Sequence, residues 1–464
     1  INHWDTVARK MDSWASKGAY YHERITDISR FLVPAGMRVL EIGCGHGDLL
    51  ASMKPSSGVG VDFSAEMINR AQTRHPELTF IHCDAHETGI NDQFDIIILS
   101  DIVNDLWDVQ TVFENMKPLC TPNTRIIINS FSRVWELPLI LTQKLGLSTP
   151  MLPQNWLTVD DIENMLNLVG FEVTRNWLEV LLPVDIPVLS RLMNTYLVKI
   201  WPFTYFGLTN FIIARPRAVT REKSALPTVS VIIAARNEAG NIEEIFQRTP
   251  EMGGGTEMIF VEGNSSDNTY DVIEEAIARH PEKKARLFKQ PGKGKGDAVR
   301  LGFQEASGDI LMILDADMTV PPEDLPRFYE ALASGEGDFI NGVRLVYPME
   351  KQAMRYFNIL GNKFFSLAFS WLFGQPIKDT LCGTKVIRKS DYEILAANRS
   401  YFGDFDPFGD FDLLLGAAKM NLKIVEMPIR YAERKYGETN IDRWRHGWIL
   451  LKMVKFAMRK IKFI

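Results

Sequence analysis

The sequence predicts an α/β protein of two domains, each a mostly parallel sheet with helices on both faces, and three observations carry that expectation. At 464 residues the chain exceeds what one hydrophobic core normally serves. Two segments, residues 37–50 ("MRVLEIGCGHGDLL") and 227–246 ("PTVSVIIAARNEAGNIEEIF"), each read as an apolar strand, a turn and a helix, as at the opening of a domain. Downstream of each start, strand-like runs ("GVGVDF", "FDIIILS", "RIIINSF"; then "EMIFVEG", "DILMILDAD", "DFINGVRLV") alternate with helical stretches, the order that parallel strands with helical crossovers produce. Between the two halves, "ARPRAVTREKSALP" is charged, bracketed by proline and poor in residues to bury. It reads as a linker at 216–227, after a first domain at 1–215 and before a second at 228–464.

Composition bounds the function. Apolar content of 46% and charged content of 24% are those of a globular protein, and a net charge of −6 disfavours bulk nucleic-acid binding. Cys44, Cys83, Cys120 and Cys382 stand far apart with no CxxC pair, which suits a reducing, cytoplasmic setting and offers no metal-thiolate spacing. No signal peptide is legible at the start. The longest strongly apolar run, "FFSLAFSWLFG", is shorter than the roughly 20 helical residues a bilayer core requires, so membrane contact is expected to be peripheral, on the inner face.

In the first half, "VLEIGCGHGDLL" sets Gly43, Gly45 and Gly47 between an apolar strand and a helix. Glycine permits a tight turn and close approach of a ligand, and the helix start contributes free N–H groups. A plain β–α turn is the other reading. Asp62 closes the second strand, where an acid can take both hydroxyls of a ribose. Glu41 precedes the glycines inside its strand, Asp84 follows in "HCDAHE", and "FDIIILSDIV" ends on Ser100 and Asp101.

Together these segments resemble the class I S-adenosylmethionine (SAM)-dependent methyltransferases, a Rossmann-like fold, over about residues 20–215. The resemblance implies SAM as cofactor. It places Gly43, Gly45 and Gly47 at the methionine part, Asp62 at the ribose, Asp84 at the adenine amine, and Ser100 with Asp101 near the donor methyl, and it counts Glu41 among the cofactor-binding residues. Tyr20, Tyr21 and His22 would belong to a helix closing the pocket, with a surface role for His22 as the alternative. The Trp- and Leu-rich stretch at 134–166 reads as a packed cover, or else as a surface for a greasy methyl acceptor.

In the second half, "DILMILDADMTVPPED" ends a buried strand on Asp315 and Asp317, whose side chains share a face because alternate strand residues do. Two carboxylates so close repel unless a positive charge joins them, and a hard divalent cation, Mg²⁺ or Mn²⁺, suits such oxygen ligands. "VIIAARNE" brings Ala235, Asn237 and Glu238 to the end of another strand; "IFVEGNSSDNT" brings Asp267. "KQPGKGKGDAVRLGF" reads as a flexible basic loop entering a helix, with Lys293 and Lys295 suited to a diphosphate.

In series these motifs resemble family 2 glycosyltransferases of the GT-A fold, nearest to the dolichyl- and polyprenyl-phosphate sugar synthases, from about Pro227 onward. The resemblance implies a nucleoside-diphosphate sugar held by Ala235, Asn237, Glu238, Asp267, Lys293, Lys295, Asp315, Arg434 and Tyr436, and a metal on Asp315 and Asp317. It implies Asp410 and Asp412 as the catalytic carboxylate pair, a base for a hydroxyl acceptor or an orienting pair for an ionised phosphate, with Asp379 and Thr380 near the donor sugar and Lys385 and Arg388 as candidate phosphate ligands. Thr319 stands where mannosyl-type synthases often carry Gln.

The tail "RWRHGWILLKMVKFAMRKIKFI" carries seven Lys or Arg and no acid. On a helix it separates Lys452, Lys455, Arg459 and Lys462 from Leu450, Leu451, Val454, Met458 and Ile461, a pattern for an anionic membrane surface or for packing on the core. The expectation is a bifunctional enzyme: metal-dependent, inverting sugar transfer to a polyprenyl-phosphate-like or other small acceptor, joined to methyl transfer. The alternative is a soluble glycosyltransferase acting on a hydroxyl, with a non-catalytic methyltransferase-like scaffold.

Overall fold

The computed structural model describes residues 18–145, 154–217, 226–344, 356–399, 411–432, 434, 436 and 443–464. The chain divides into two units, Ile1–Arg217 with Lys462–Ile464, and Ala218–Ile461. Most of the stretch read as a linker, 218–225, lies outside the described residues.

The first unit is built on a seven-stranded sheet in the order β3-β2-β1-β4-β5-β7-β6. Its strands are β1 (Arg38–Ile42), β2 (Ser57–Asp62), β3 (Thr79–His82), β4 (Phe94–Ser100), β5 (Cys120–Phe131), β6 (Phe171–Glu179) and β7 (Thr209–Pro216). The first five run parallel; β7 lies antiparallel to both β5 and β6. "FDIIILS" of β4 is apolar almost throughout because helices cover both faces, which leaves no side for polar alternation. The chain builds outward from β1 to β3, then returns to lay β4 on the other side of β1. That reversal opens a crevice at the carboxyl ends of β1 and β4.

Around this sheet, α1 (Ala19–Leu32) buries Tyr21, Ile25, Ile28 and Leu32, one stripe at helical spacing. Helix α2 (Asp48–Ser52) follows the glycine turn, and α3 (Ala65–Arg74) starts on Ser64, whose hydroxyl accepts from the Met67 N–H. The stretch read as a packed cover is covered only in part: Ile162 and Leu166 are buried and Trp135 and Leu139 pack on the core, whereas helix α4 (Glu136–Lys144) leaves Leu137 and Leu141 77% and 58% exposed.

The second unit repeats the logic with the order β10-β9-β8-β11-β13-β12-β14. Here β8 (Val229–Ala235), β9 (Thr256–Glu262), β10 (Lys284–Lys289) and β11 (Ile310–Asp315) are parallel. Strand β13 (Lys385–Arg388) runs antiparallel to β11 and to β12 (Phe339–Val343), and β14 (Ile424–Pro428) pairs parallel with β12. The chain reverses between β8 and β11, so Ala235 and Asp315 end neighbouring strands at a second crevice.

Four helices of this unit matter below: α5 (Lys295–Glu305), α6 (Tyr356–Phe373), α7 (Phe411–Lys419) and α8 (Arg443–Ala457). Helices α6 and α8 pack together. In the tail, Leu450, Met453, Ala457 and Ile461 are buried, while Leu451 is 43% exposed beside exposed Lys452, Lys455 and Arg459. The buried stripe is therefore rotated from the expected one, to the i, i+3, i+7 and i+11 positions. Among the described residues no helix is long and apolar enough to cross a membrane.

Candidate active sites

In the first unit the glycine turn is held by its neighbours. Gly43 and Cys44 N–H both donate to the Val61 carbonyl, and Gly47 N–H to that of Cys44. Gly43, Gly45 and Gly47 have φ of 77°, 51° and 75°, a region that penalises side chains. A Cβ on Gly43 would stand 2.5 Å from Ile102 Cδ1 and one on Gly47 2.4 Å from Phe80, so those two glycines serve packing. A Cβ on Gly45 would meet nothing within 4 Å. Gly45 alone thus presents bare backbone to open space, the feature a cradle for a cofactor requires.

The expected cofactor residues take distinct places. Asp62 accepts from Gly45 N–H at 3.0 Å through Oδ2 and from Ser64 N–H at 2.9 Å through Oδ1, fixing its carboxylate at the turn's mouth. Glu41 is 2% exposed and accepts from Leu50 N–H at 3.0 Å. Through that bond it braces α2 from inside. Burial pushes its carboxyl up to about 8, against the pull of the Leu50 N–H.

Asp84 sits at the open end, bonded to His86 Nδ1 at 2.5 Å, and the His86 ring stacks on exposed Trp107 at 4.6 Å. Burial opposes ionisation of Asp84, but its bonds to His86 outweigh that and hold the carboxyl below its usual range. Ser100 ends β4 opposite Asn129, and Asp101 follows it. Of the pocket-closing trio, Tyr21 is buried with its hydroxyl on Asp101 at 2.8 Å, while His22 lies on the exposed face of α1. This set fits an adenosyl cofactor: an unobstructed glycine, an acid at ribose position and a flat aromatic pair beside Asp84.

In the second unit, Asp315 and Asp317 stand at the tip of β11 and each holds a basic partner. Lys295 Nζ, at the first residue of α5, reaches Asp315 Oδ1 at 2.5 Å. Arg434 Nη2 reaches Asp317 Oδ2 at 2.5 Å, and its Nη1 lies 3.6 Å from Glu238 Oε1. Arg434 arrives because Ala432 N–H bonds the Thr319 carbonyl at 3.0 Å, folding that segment over the strand tip. Thr319 itself donates to Asp317 Oδ1 from its N–H and its hydroxyl, at 3.1 and 2.7 Å, so it orients the acid. Burial lifts the Glu238 carboxyl to about 7; Arg434 pulls it down and Asp317 pushes it up.

Around them, Ala235 is buried at the end of β8, and Asn237, with φ of 57°, accepts from Ser266 N–H at 2.8 Å. Asp267 accepts from Thr269 N–H and hydroxyl at 3.1 and 2.5 Å, and Thr269 Oγ1 accepts from Glu238 N–H. Two loops are thereby tied into one polar rim. The Tyr436 ring lies against Gly240, where a Cβ would come within 2.6 Å of it. Lys293 is exposed. The loop before α5, read as flexible, is braced: Asp297 accepts from Gly292 N–H at 3.0 Å and Gln290 donates to the Gly294 carbonyl at 2.8 Å. Sequence reasoning missed both braces, and also Gly383, whose backbone presses on Asp315: a Cβ there would lie 2.1 Å from Asp315 Oδ2.

Other expected residues are corrected or lie elsewhere. Lys385 is 1% exposed and donates to the Cys382 carbonyl. Arg388 pairs with Ile310, the start of β11, because β13 runs antiparallel, and it bonds Asp338; it is at the wrong end of the sheet for phosphate. Asp379 is fully buried under Arg344, at 2.7 and 2.9 Å, and adjoining Thr380 is buried as well. Asp410 lies outside the described residues. Asp412, on α7, stands between Arg399 at 3.4 Å and Arg300 at 3.9 Å, both contacts being to its Oδ2.

For a metal, Asp315 and Asp317 supply hard oxygens, and among the described residues no hydrogen bond reaches Asp315 Oδ2. No group of three or more His, Cys, Asp or Glu gathers among the described residues, so such an ion would complete its shell with phosphate and water.

The comparisons with known proteins fall on these two halves. Residues 230–394 match the family described as glycosyl transferase family 2, and residues 34–170 match a methyltransferase domain. A dolichol-phosphate mannosyltransferase of Pyrococcus furiosus is 31% identical over 247 residues, covering 51% of this chain and 67% of that protein. An undecaprenyl-phosphate 4-deoxy-4-formamido-L-arabinose transferase of Edwardsiella ictaluri is 26% identical, covering 46% of this chain and, short of two thirds, 62% of its own length. Among solved structures, a SAM-dependent methyltransferase of Thermotoga maritima aligns with a TM-score of 0.38 at 14% identity, over 46% of this chain and 98% of its own. The chain therefore belongs to glycosyl transferase family 2, and carries ahead of that domain a SAM-dependent methyltransferase domain.

Proposed function

We propose that the chain transfers a sugar from a nucleoside diphosphate to a polyprenyl phosphate, with inversion and with a divalent metal, and that its first unit methylates a second acceptor. The observation that carries the glycosyl half is the strand-tip pair Asp315 and Asp317, each already matched by a basic side chain aimed at the same crevice. Asp315 and Asp317 would hold the metal, which supplies Lewis-acid charge to the diphosphate. Lys295 and Arg434 then turn from carboxylates to phosphate oxygens as negative charge develops on the leaving group. Ala235, Asn237, Glu238, Asp267 and Tyr436 line the rim for base and ribose. An acceptor oxygen attacking opposite the departing diphosphate gives the inverted product.

The acceptor class draws support from two sides. The relatives from Pyrococcus and Edwardsiella bear dolichol-phosphate and undecaprenyl-phosphate in their names. The engagement of Asp412 by Arg300 and Arg399 favours an acceptor that needs no base, as an ionised phosphate does. Peripheral membrane contact belongs to the same reading, since such an acceptor resides in a bilayer. The test is release of UDP, GDP or dTDP from a panel of donor sugars in the presence of a polyprenyl phosphate and Mg²⁺ or Mn²⁺. Turnover with one nucleotide, abolished by a chelator, is the expected result; undiminished turnover under the chelator removes the metal from the mechanism.

A further inference from the structure

The methyltransferase unit holds a carboxylate that the cofactor cradle leaves unused. Asp101 follows β4 directly, at the crevice between β1 and β4, with a left-handed φ of 53°. The next residue, Ile102, packs over Gly43, so Asp101 and the glycine turn border one space. Tyr21 Oη and Asn129 Nδ2 both donate to Asp101 Oδ1, at 2.8 and 2.7 Å. Tyr21 Oη also lies 2.8 Å from Thr209 Oγ1. Among the described residues no hydrogen bond reaches Asp101 Oδ2, and the residue stays partly exposed. A carboxylate anchored through one oxygen and open at the other has the geometry of a proton acceptor.

We propose that Asp101 is the general base of the methyl transfer and that the methyl acceptor is a neutral protic nucleophile, a hydroxyl or an N–H, rather than a group already ionised. The proposal rests on the methyltransferase reading. The acceptor's proton passes to Asp101 Oδ2 while the acceptor atom bonds the methyl carbon; the electron pair of the breaking S–CH₃ bond stays on sulfur as a neutral thioether. No other reactant is required.

Burial holds the Asp101 carboxyl up at about 7, the Tyr21 donor opposes that rise, Asp105 adds to it and the Asn129 donor opposes it. The groups facing Asp101 are Tyr21 from α1, Asn129 from β5, and Asp105 from the turn after β4; only Asp105 is charged, because burial keeps the Tyr21 phenol neutral.

Calorimetry with two adenosyl analogues tests this without the acceptor. Sinefungin carries an amine where the transferred methyl stands, and S-adenosylhomocysteine carries nothing there. At pH 8 the native chain should bind sinefungin about tenfold more tightly than S-adenosylhomocysteine, as one charge-assisted hydrogen bond allows. The preference should fade as pH falls through about 7. Asp101→Asn should bind S-adenosylhomocysteine as before and lose the preference. Tyr21→Phe should keep the preference but move its midpoint to higher pH, since a donor that favours the carboxylate is gone. A preference retained by Asp101→Asn, or absent from the native chain while both compounds bind, overturns the proposal. Failure of both compounds to bind overturns the cofactor reading beneath it.

Discussion

Glu41 and Glu238 are buried carboxyls raised to about 8 and about 7, and for Glu41 the linkage to stability can be signed. Its protonated form is favoured in the fold, so the stability it contributes is complete below the ordinary carboxyl range near 4.5 and is lost as pH rises through about 8. Hydrogen exchange at the β1 amides should therefore show protection falling between pH 5 and 8.5. Glu41→Gln should flatten that fall and exceed the native chain at the alkaline end by at least about 1 kcal/mol. At the other site, Asp315→Asn or Asp317→Asn should lower kcat on the order of 10²-fold or more, with little change in melting temperature, because each removes charge needed when the leaving group departs. Calorimetry beside nucleotide-release kinetics checks both halves of that statement. The acids were legible in the sequence because two residues of spacing on one strand fix their common face. Their partners were not: Arg434 lies 117 residues from Asp317 and is delivered by a backbone bond to Thr319 that no local pattern announces.

At the scale of elements, the two β–α turns differ in what their glycines do. Gly47→Ala should cost about 1–3 kcal/mol of stability, because its Cβ would strike Phe80 and its φ is unfavourable. Gly45→Ala meets open space, so it should cost only the strain of its left-handed φ, about 1 kcal/mol, and weaken binding of S-adenosylhomocysteine by about tenfold or more, read by calorimetry. Strand–turn–helix units were legible because hydrophobic period and glycine spacing are local. The antiparallel insertion of β13 beside β11 was not, and it is what sends Arg388 away from the phosphate end. The cover was legible only in part, since Leu and Trp content alone does not say which side chain finds a neighbour: Ile162 and Leu166 do, Leu137 and Leu141 on α4 do not.

At the scale of the whole chain, each unit carries its own crevice at a reversal of strand order, so one architectural rule generates both sites. The second unit also displays Phe364, Leu367 and Trp371 on α6, with Trp448 and Leu451 on α8, all partly exposed beside Lys452, Lys455 and Arg459. We expect this face to lie on anionic lipid. Flotation with phosphatidylserine vesicles should recover the native chain at low salt, and reversing the three basic residues to Glu should release it, at about 1 kcal/mol for each charge removed. Equal flotation of both proteins would place the contact elsewhere.

The pairing of Lys295 with Asp315 and Arg434 with Asp317 has a thermodynamic corollary. An ion arriving by itself would find carboxylates whose charge is already cancelled, and a diphosphate arriving by itself would find its cations occupied. Each guest frees the host groups that the other wants, so their affinities should be mutually enhancing, by the same factor in either order of addition. Titration of Mn²⁺ with and without the cognate nucleotide should reveal that reciprocity, and Lys295→Met should weaken it.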